Sequence, residues 1–580
     1  MALFLVVTAG STALTFHEPT LPTRQANLLA EVFRSRHPAE GKLYANDPVF
    51  AESGQAAPWR LHLPAWRALL GAAERLVAPA DAVNAFRLLG AALVLAYLLS
   101  MYVLLYRQTL SALTAMLVAL MSLAVYSDKP PYWGIGPVFT VTPAGAYLAA
   151  VPVLMLMFVN ARRPWALAGV FFLAGAAGNV HISSAVNLTA VLSLVLLARE
   201  RFRLRACVTV GLCLLAAAAG AGPALYYYCQ TFRAAGLALP AAGQADPAAA
   251  LRLAGMNILY PGLAVFAVRR LAIALVPMVL AAIVPARPGR RRSAGPGQWL
   301  LLLAAIFIVA FGLHGLAQLA GRLMGTWPVA TELFGAFGLL MVPVYVLFAR
   351  AMVNLLRLAR RNRRWVEAAL VALAVVYLGF SWNAHPLRRL AKEMVTRAGG
   401  KVPHRPERQA ARELRALAGW ARRNTPPESL FITERAEIRA YALRSISCCG
   451  LDAEYLYRLG PGRLAEWQRR LRQQRKLLRP EPGALADAEA IVRLADAWRA
   501  RLRAPAGPIY VLVRAQSAPS PAGRLAMVEA PAGQWGRHWR LFQVLPPGAA
   551  PPGALTRPAR AASMPSSQVS PNRPPVRTGS

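Results

Sequence analysis

Apolar runs separated by short polar breaks fill most of residues 1–380. A helix needs about 20 apolar residues to cross a bilayer's hydrocarbon core, and that criterion predicts about eleven spans. They fall at residues 1–14, 83–106, 110–126, 139–159, 165–180, 183–197, 207–226, 271–284, 299–319, 333–348 and 366–380. The stretch 165–197 also reads as one broken span. No basic stretch precedes the first run, which leads to the expectation that the natural start lies upstream.

Arginines sort the loops. One set carries Arg107, Arg162, Arg163, Arg199 to Arg205, Arg287 to Arg292 and Arg357 to Arg364, while the alternating loops hold little beyond Lys129, Arg233, Arg252, Arg269, Arg270 and Arg322. Cytoplasmic loops retain basic residues, so eleven spans place the N-terminus in the cytoplasm. The long loop 15–82 and the polar region 383–545 then share the outer face. The expected architecture is a polytopic α-helical membrane domain over 1–382 with a small C-terminal α/β extracytoplasmic domain over 383–545. A Pro-, Ala- and Ser-rich tail, 546–580, reads as disordered.

Within 383–545 the pattern predicts a helix over 403–424 that stops before Pro426-Pro427. A strand follows at 429–433, then a short helix through Ile438 and Tyr441 and a strand at 445–449. Helices at 464–478 and 485–503, a strand at 509–513 and an edge hairpin over 534–544 complete the domain. In the first loop, 59–70 has the apolar and basic alternation of a helix lying at the interface, with Trp59 and Trp66 at headgroup depth. Simple anchoring of the loop is the equal alternative.

Composition agrees with a membrane protein: 56% of the 580 residues are hydrophobic. The formal charge of +39 is carried almost wholly by arginine, with lysine only at five positions, and reads as codon bias plus cytoplasmic anchors rather than a nucleic-acid footprint. Cys207, Cys213 and Cys229 have no metal-ligand spacing. The adjacent Cys448 and Cys449 read as strand residues rather than a disulfide.

No P-loop, GxGxxG, HExxH or GxSxG motif is present. Ionisable residues at the outer membrane boundary are therefore the candidates. Asp47, in Tyr44-Ala45-Asn46-Asp47-Pro48, suits a general base toward an acceptor hydroxyl or a ligand for a divalent metal ion on a pyrophosphate; an ordinary Asx turn is the competing reading. Glu18 offers a second carboxylate near the same surface, or a cap. His181 interrupts a small-residue run, as a catalyst or as a turn residue. Lys129, Tyr132 and Trp133 form another outer-loop candidate group, equally explained by a Pro-rich turn with a belt aromatic. Arg269 and Arg270, placed outside against the topological rule, suit a phosphate headgroup or simple snorkelling.

Three stretches carry a resemblance. The first runs from Leu28-Leu29 through Tyr44 to Pro48 and on to Leu76. The second is Gly175 to Leu188 around His181, with Ile182 where a proline is expected. The third, and most distinctive, is Trp420-Ala421-Arg422-Arg423-Asn424-Thr425-Pro426 with Leu430-Phe431-Ile432, continuing through Ile438-Arg439, Leu443-Arg444-Ser445, Trp467 and Arg470. Over 1–545 the chain resembles the GT-C class of membrane glycosyltransferases, and more closely a related bacterial family of integral membrane proteins. The adjacent carboxylate pair often seen in the first loop of that class is not evident here.

The resemblance implies an enzyme of the bacterial cytoplasmic (inner) membrane. It would transfer a sugar from a polyprenyl-phosphate carrier to an acceptor outside the cytoplasm, with Asp47 as base or metal ligand and basic residues on the carrier phosphate. The alternatives are a lipid or solute transporter or flippase, and a non-catalytic scaffold. A transporter usually places polar groups deep within its spans, whereas these spans are almost free of charge at their centres, Glu332 being the nearest exception.

Overall fold

The structure is a computed structural model that describes residues 2–16, 20–36, 42–53, 57–77, 82–125, 135, 136, 138, 140–235, 295–316, 319, 329–398, 406–459, 461–481, 484–503 and 507–548. The chain is mostly helical, with one small sheet.

The apolar part begins with α1 (Ala2–Phe16). The first loop then contributes α2 (Thr23–Arg36) and α3 (Pro64–Val77) before α4 (Ala82–Thr109). Next come α5 (Ala112–Met121), α6 (Pro143–Asn160), α7 (Pro164–Ala177), α8 (Ile182–Arg199), α9 (Leu204–Gly220) and α10 (Gly222–Ala235). Beyond the undescribed stretch lie α11 (Pro296–Phe307), α12 (Met341–Leu358), α13 (Arg363–Phe380) and α14 (His385–Ala398).

Five helices among the described residues are long and apolar enough to cross a membrane, or seven if each of two bent pairs is one span. The expected eleven are not all accounted for. α5 and α7 are short apolar helices, α1 has 15 residues, and the span expected at 271–284 lies outside the described residues. The stretch 165–197 is two helices, α7 and α8, separated by the turn that holds His181.

Glycine sets the closest packing in the bundle. A Cβ at Gly175 would stand 2.0 Å from the Ala217 carbonyl oxygen, and one at Gly220 would stand 2.2 Å from that of Phe172. α7 and α9 therefore meet backbone to backbone, as small residues allow in membrane helices. After α9 the chain bends by 69° into α10, and after α13 by 78° into α14. The second bend is pinned by buried Ser381, whose Oγ accepts from the Val125 and Asn383 amides.

The polar C-terminal region holds α15 (Pro406–Asn424), α16 (Asp452–Leu459), α17 (Leu464–Leu478) and α18 (Ala488–Arg499). Its strands are β1 (Leu430–Ile432), β2 (Ser445–Ile446), β3 (Ile509–Arg514), β4 (Leu525–Val528) and β5 (Trp539–Val544), in the order β2-β1-β3-β5-β4. β1 pairs in parallel with β2 and β3, and β5 pairs antiparallel with β3 and β4. β5 is thus interior, and the edge belongs to β4, whose half-exposed Leu-Ala-Met-Val run gives a weak strand signal. The strand expected at 445–449 is shortened to Ser445–Ile446, with the Ser447 amide still bonded to the Phe431 carbonyl, and the Asp452 carboxylate draws the Cys449 amide into the start of α16. α16 itself was not foreseen.

Strand alternation splits the buried residues of this sheet between two cores. Leu430, Ile432, Ile509, Val511, Phe542 and Val544 face one, and the first loop inserts Tyr44, Val49, Phe50, Trp59 and Leu61 among them. Phe431, Tyr510, Leu512, Trp539 and Leu541 face the other, against α15 and, from the first loop, Leu28, Leu29, Val32 and Trp66. The loop is therefore part of the C-terminal domain's interior. This corrects the interfacial-helix reading of 59–70: Trp59 and Trp66 are 3% and 0% exposed, covered by protein. A short 3-10 turn, Pro58–Leu61, precedes α3 there.

Candidate functional site

Asp47 sits where the chain turns sharply after Tyr44, which takes a left-handed φ of 58°. Its Oδ1 accepts from the amides of Val49 and Phe50 at 3.0 and 3.1 Å, the Asx-turn geometry. Arg439 then closes on both carboxylate oxygens, Nε to Oδ2 at 2.7 Å and Nη2 to Oδ1 at 2.9 Å, and the Ile446 amide adds a bond to Oδ2 at 3.1 Å. Five donors thus occupy a side chain with no exposed surface.

The same guanidinium holds a second carboxylate. Nη1 and Nη2 of Arg439 donate to Asp452 at 2.6 and 3.1 Å, and Nη1 also reaches Asn27 Oδ1 at 3.0 Å. Its flat face lies 4.9 Å from the centroid of Phe50. Burial alone would lower the pKa of Arg439; the Asp452 and Asp47 carboxylates outweigh it and hold the group well above its ordinary value. The cluster ties three separate stretches of chain: α2, the turn at 44–50 and the C-terminal domain. A carboxylate so committed has no lone pair facing solvent and is poorly placed to take a proton from an acceptor.

His181 caps α8. Its Nδ1 accepts from the Ser184 amide at 3.3 Å and lies 2.8 Å from the Ser184 hydroxyl, the geometry of a helix cap. Glu18, Lys129, Tyr132, Trp133, Arg269 and Arg270 lie outside the described residues, as does the tail expected to be disordered. Cys448 and Cys449 are buried free thiols, and burial pushes the Cys449 thiol up to about 12. Among the described residues no group of three or more His, Cys, Asp or Glu side chains could hold a metal ion.

Sequence reasoning missed a recess at the seam between the apolar helices and the polar body. It is lined by Thr12 of α1, Gln25 of α2, Phe86, Arg87 and Gly90 of α4, and Val138 and Val141. Its volume is about 10 Å³, room for a single water. Gln25 is 4% exposed, and its amide nitrogen has no hydrogen-bond partner among the described residues. Close by in the chain, the Leu21 amide donates to Tyr441 Oη at 2.7 Å, and Arg24 pairs with Glu454, so α2 is clamped to the C-terminal domain just beyond the recess.

Also missed was Glu31, fully buried, which accepts from the His62 amide at 3.0 Å and lies 2.6 Å from its Nδ1. The arrangement recurs at Glu413 and His538, at 2.9 and 2.8 Å, and both act as loop clasps. One signal for these residues was available: Asn27 and Glu31 are spaced i, i+4 within an apolar helical stripe, which puts two polar groups on one buried face.

No family model matches the sequence, and no curated protein matches it. Two solved structures similar to this chain are crystal structures of the oligosaccharyltransferase of Archaeoglobus fulgidus. The form tethered by a disulfide bond to an acceptor peptide containing the NVT sequon is 11% identical, with a TM-score of 0.39, covering 89% of this chain and 69% of that one. The complex with Zn and sulfate is 12% identical, with a TM-score of 0.43, covering 88% and 68%.

Proposed function

We propose that the chain is a membrane glycosyltransferase that moves a sugar from a polyprenyl-phosphate carrier to an acceptor outside the cytoplasm. The observation that carries this reading is the recess at the seam, where the buried amide of Gln25, unpartnered among the described residues, stands between the apolar helices α1 and α4 and the polar body. Buried polar groups are nearly always bonded, and an exception calls for a missing partner. A substrate oxygen is such a partner. At its present size the recess must widen for any sugar to enter. The proposal assigns the base to Glu18, which follows α1 by two residues in sequence, and gives Asp47 the task of fixing the loop. Arg269, Arg270 and Lys129 are the proposed contacts for the carrier phosphate, with Tyr132 and Trp133 beside the sugar.

The test is a deletion strain complemented with the native chain or with Glu18→Gln, read by mass spectrometry of lipid-linked sugars and surface glycans. Deletion is expected to raise one lipid-linked sugar and remove one glycan, and Glu18→Gln, present at normal level, to do the same. Unchanged pools after deletion would sink the reading. Flipping or uptake by purified protein in vesicles, with no transfer, would replace it with a transporter.

A further inference from the structure

A second cavity lies away from the seam, between the turn 42–52 of the first loop and α16, α17 and α18, and has a volume of about 200 Å³. Four arginines line it: Arg463, Arg470, Arg501 and Arg503. Among the described residues two carboxylates answer them. Glu52 is shared by Arg463, at 2.7 and 3.0 Å, and Arg503, at 3.2 Å; Glu466 is shared by Arg470 and by Arg501 at 3.0 Å. The rim therefore carries two positive charges in excess, and the Asp47–Arg439–Asp452 cluster behind it returns only one negative charge, with the Asp47 oxygens already taken.

Donors are also in excess. A guanidinium has five N–H groups, and the buried Nε of Arg470 has no partner among the described residues. Its guanidinium carbon lies over the Trp498 ring, 4.7 Å from the centroid, which restrains the fork. Trp467 is fixed likewise by a bond from its indole nitrogen to the Cys449 carbonyl at 3.2 Å. Pre-oriented guanidinium forks beside aromatic and apolar walls suit a phosphate oxygen set joined to a compact ring or polyol. The cavity is smaller than the roughly 300–1,000 Å³ of drug-sized sites, so the ligand is small.

We infer that this cavity is a binding site for a phosphomonoester on a sugar or small polyol, with Arg470 and Arg501 as its main phosphate contacts. The inference does not depend on the transferase reading. Neither the base nor the recess at the seam takes part.

The experiment titrates the purified full-length chain in detergent, by calorimetry and thermal shift, with inorganic phosphate, hexose 1-phosphate, glycerol 1-phosphate and uncharged hexose. Hexose 1-phosphate or glycerol 1-phosphate is expected to bind and raise the melting temperature, phosphate to bind more weakly and hexose not at all. Tighter binding of hexose 1-phosphate points to a phosphosugar, and tighter binding of glycerol 1-phosphate to a lipid headgroup. Arg501→Gln, at a half-exposed position, should weaken binding at least tenfold without shifting the ligand-free melting temperature. Arg470→Lys, which keeps the charge and loses the fork, should weaken it as well. Failure of both phosphomonoesters to bind, or equal binding by both variants and the native chain, overturns the inference.

Discussion

Arg439 grips Asp47 with two hydrogen bonds of 2.7 and 2.9 Å across 392 residues of sequence. That pairing makes the first loop and the C-terminal domain one folded unit. Removing Asp47 leaves the buried Val49, Phe50 and Ile446 amides and Arg439 Nε without this acceptor, and each buried donor so stranded typically costs about 1–3 kcal/mol. Asp47→Ala should therefore lower the melting temperature sharply and open the loop to protease, as limited proteolysis in detergent would report. Asp47→Asn, which keeps an acceptor oxygen for the Val49 and Phe50 amides, should do less harm than the alanine change. A single Asp47→Ala variant with native stability would contradict the structural role.

Acid should loosen the C-terminal domain through Asp496. Two bonds of 2.8 Å from Arg524 hold this carboxyl below the ordinary aspartate value, and the same guanidinium binds the Leu545 carbonyl. A depressed carboxylate stabilises the fold above its unfolded value, and that contribution disappears as pH falls through the folded value. The affected window is thus at and below the ordinary value of 3.8. Arg524→Ala should raise the pH midpoint of acid unfolding, followed by circular dichroism, and should narrow the stability difference from the native chain as pH drops through that window.

The crossing of α7 and α9 tolerates no side chain at Gly175. With a carbonyl oxygen 2.0 Å from the new methyl, Gly175→Ala must push two backbones apart. Overpacking usually costs about 1–3 kcal/mol, and a clash with backbone belongs at the upper end. Gly169→Ala, with nothing within 4 Å, is the control and should be neutral. Melting temperatures in detergent compare the two directly.

Gln25 separates stability from activity. Gln25→Leu removes a buried amide nitrogen that has no partner among the described residues, so stability should hold or rise. Under the proposed function the same change takes away a substrate contact and narrows the recess, and turnover of the lipid-linked sugar should fall at least tenfold. A variant that loses stability and activity together would make Gln25 a structural residue.

The apolar periodicity made much of the helical part legible, and the helix expected at 464–478 occupies Leu464–Leu478. The partners of the polar residues were harder to read. Asp47 offered base and Asx turn as readings, and its amide contacts are those of the turn. Its ion pair with Arg439 was invisible because no local pattern encodes a contact across the length of the chain. A hint was present in Ala436, Ile438, Ala440 and Ala442, an apolar run whose one arginine must find carboxylates if it is buried. Trp59 and Trp66 misled for a related reason: an amphipathic stretch looks the same whether its apolar face meets lipid or a distant domain.

The insertion of Tyr44, Phe50 and Trp59 among residues of the C-terminal domain also sets a schedule. Asp47, which lies among these aromatics, leaves the ribosome 392 residues before its partner Arg439. At about 5–20 residues per second of synthesis it waits roughly 20–80 seconds for that partner. During that interval the loop is an exposed sticky segment with no finished counterpart, and its protection falls to chaperones or to the membrane surface. Birth order along the chain thus leaves the loop without its counterpart until late in synthesis, and the last strand, β5, completes its shelter.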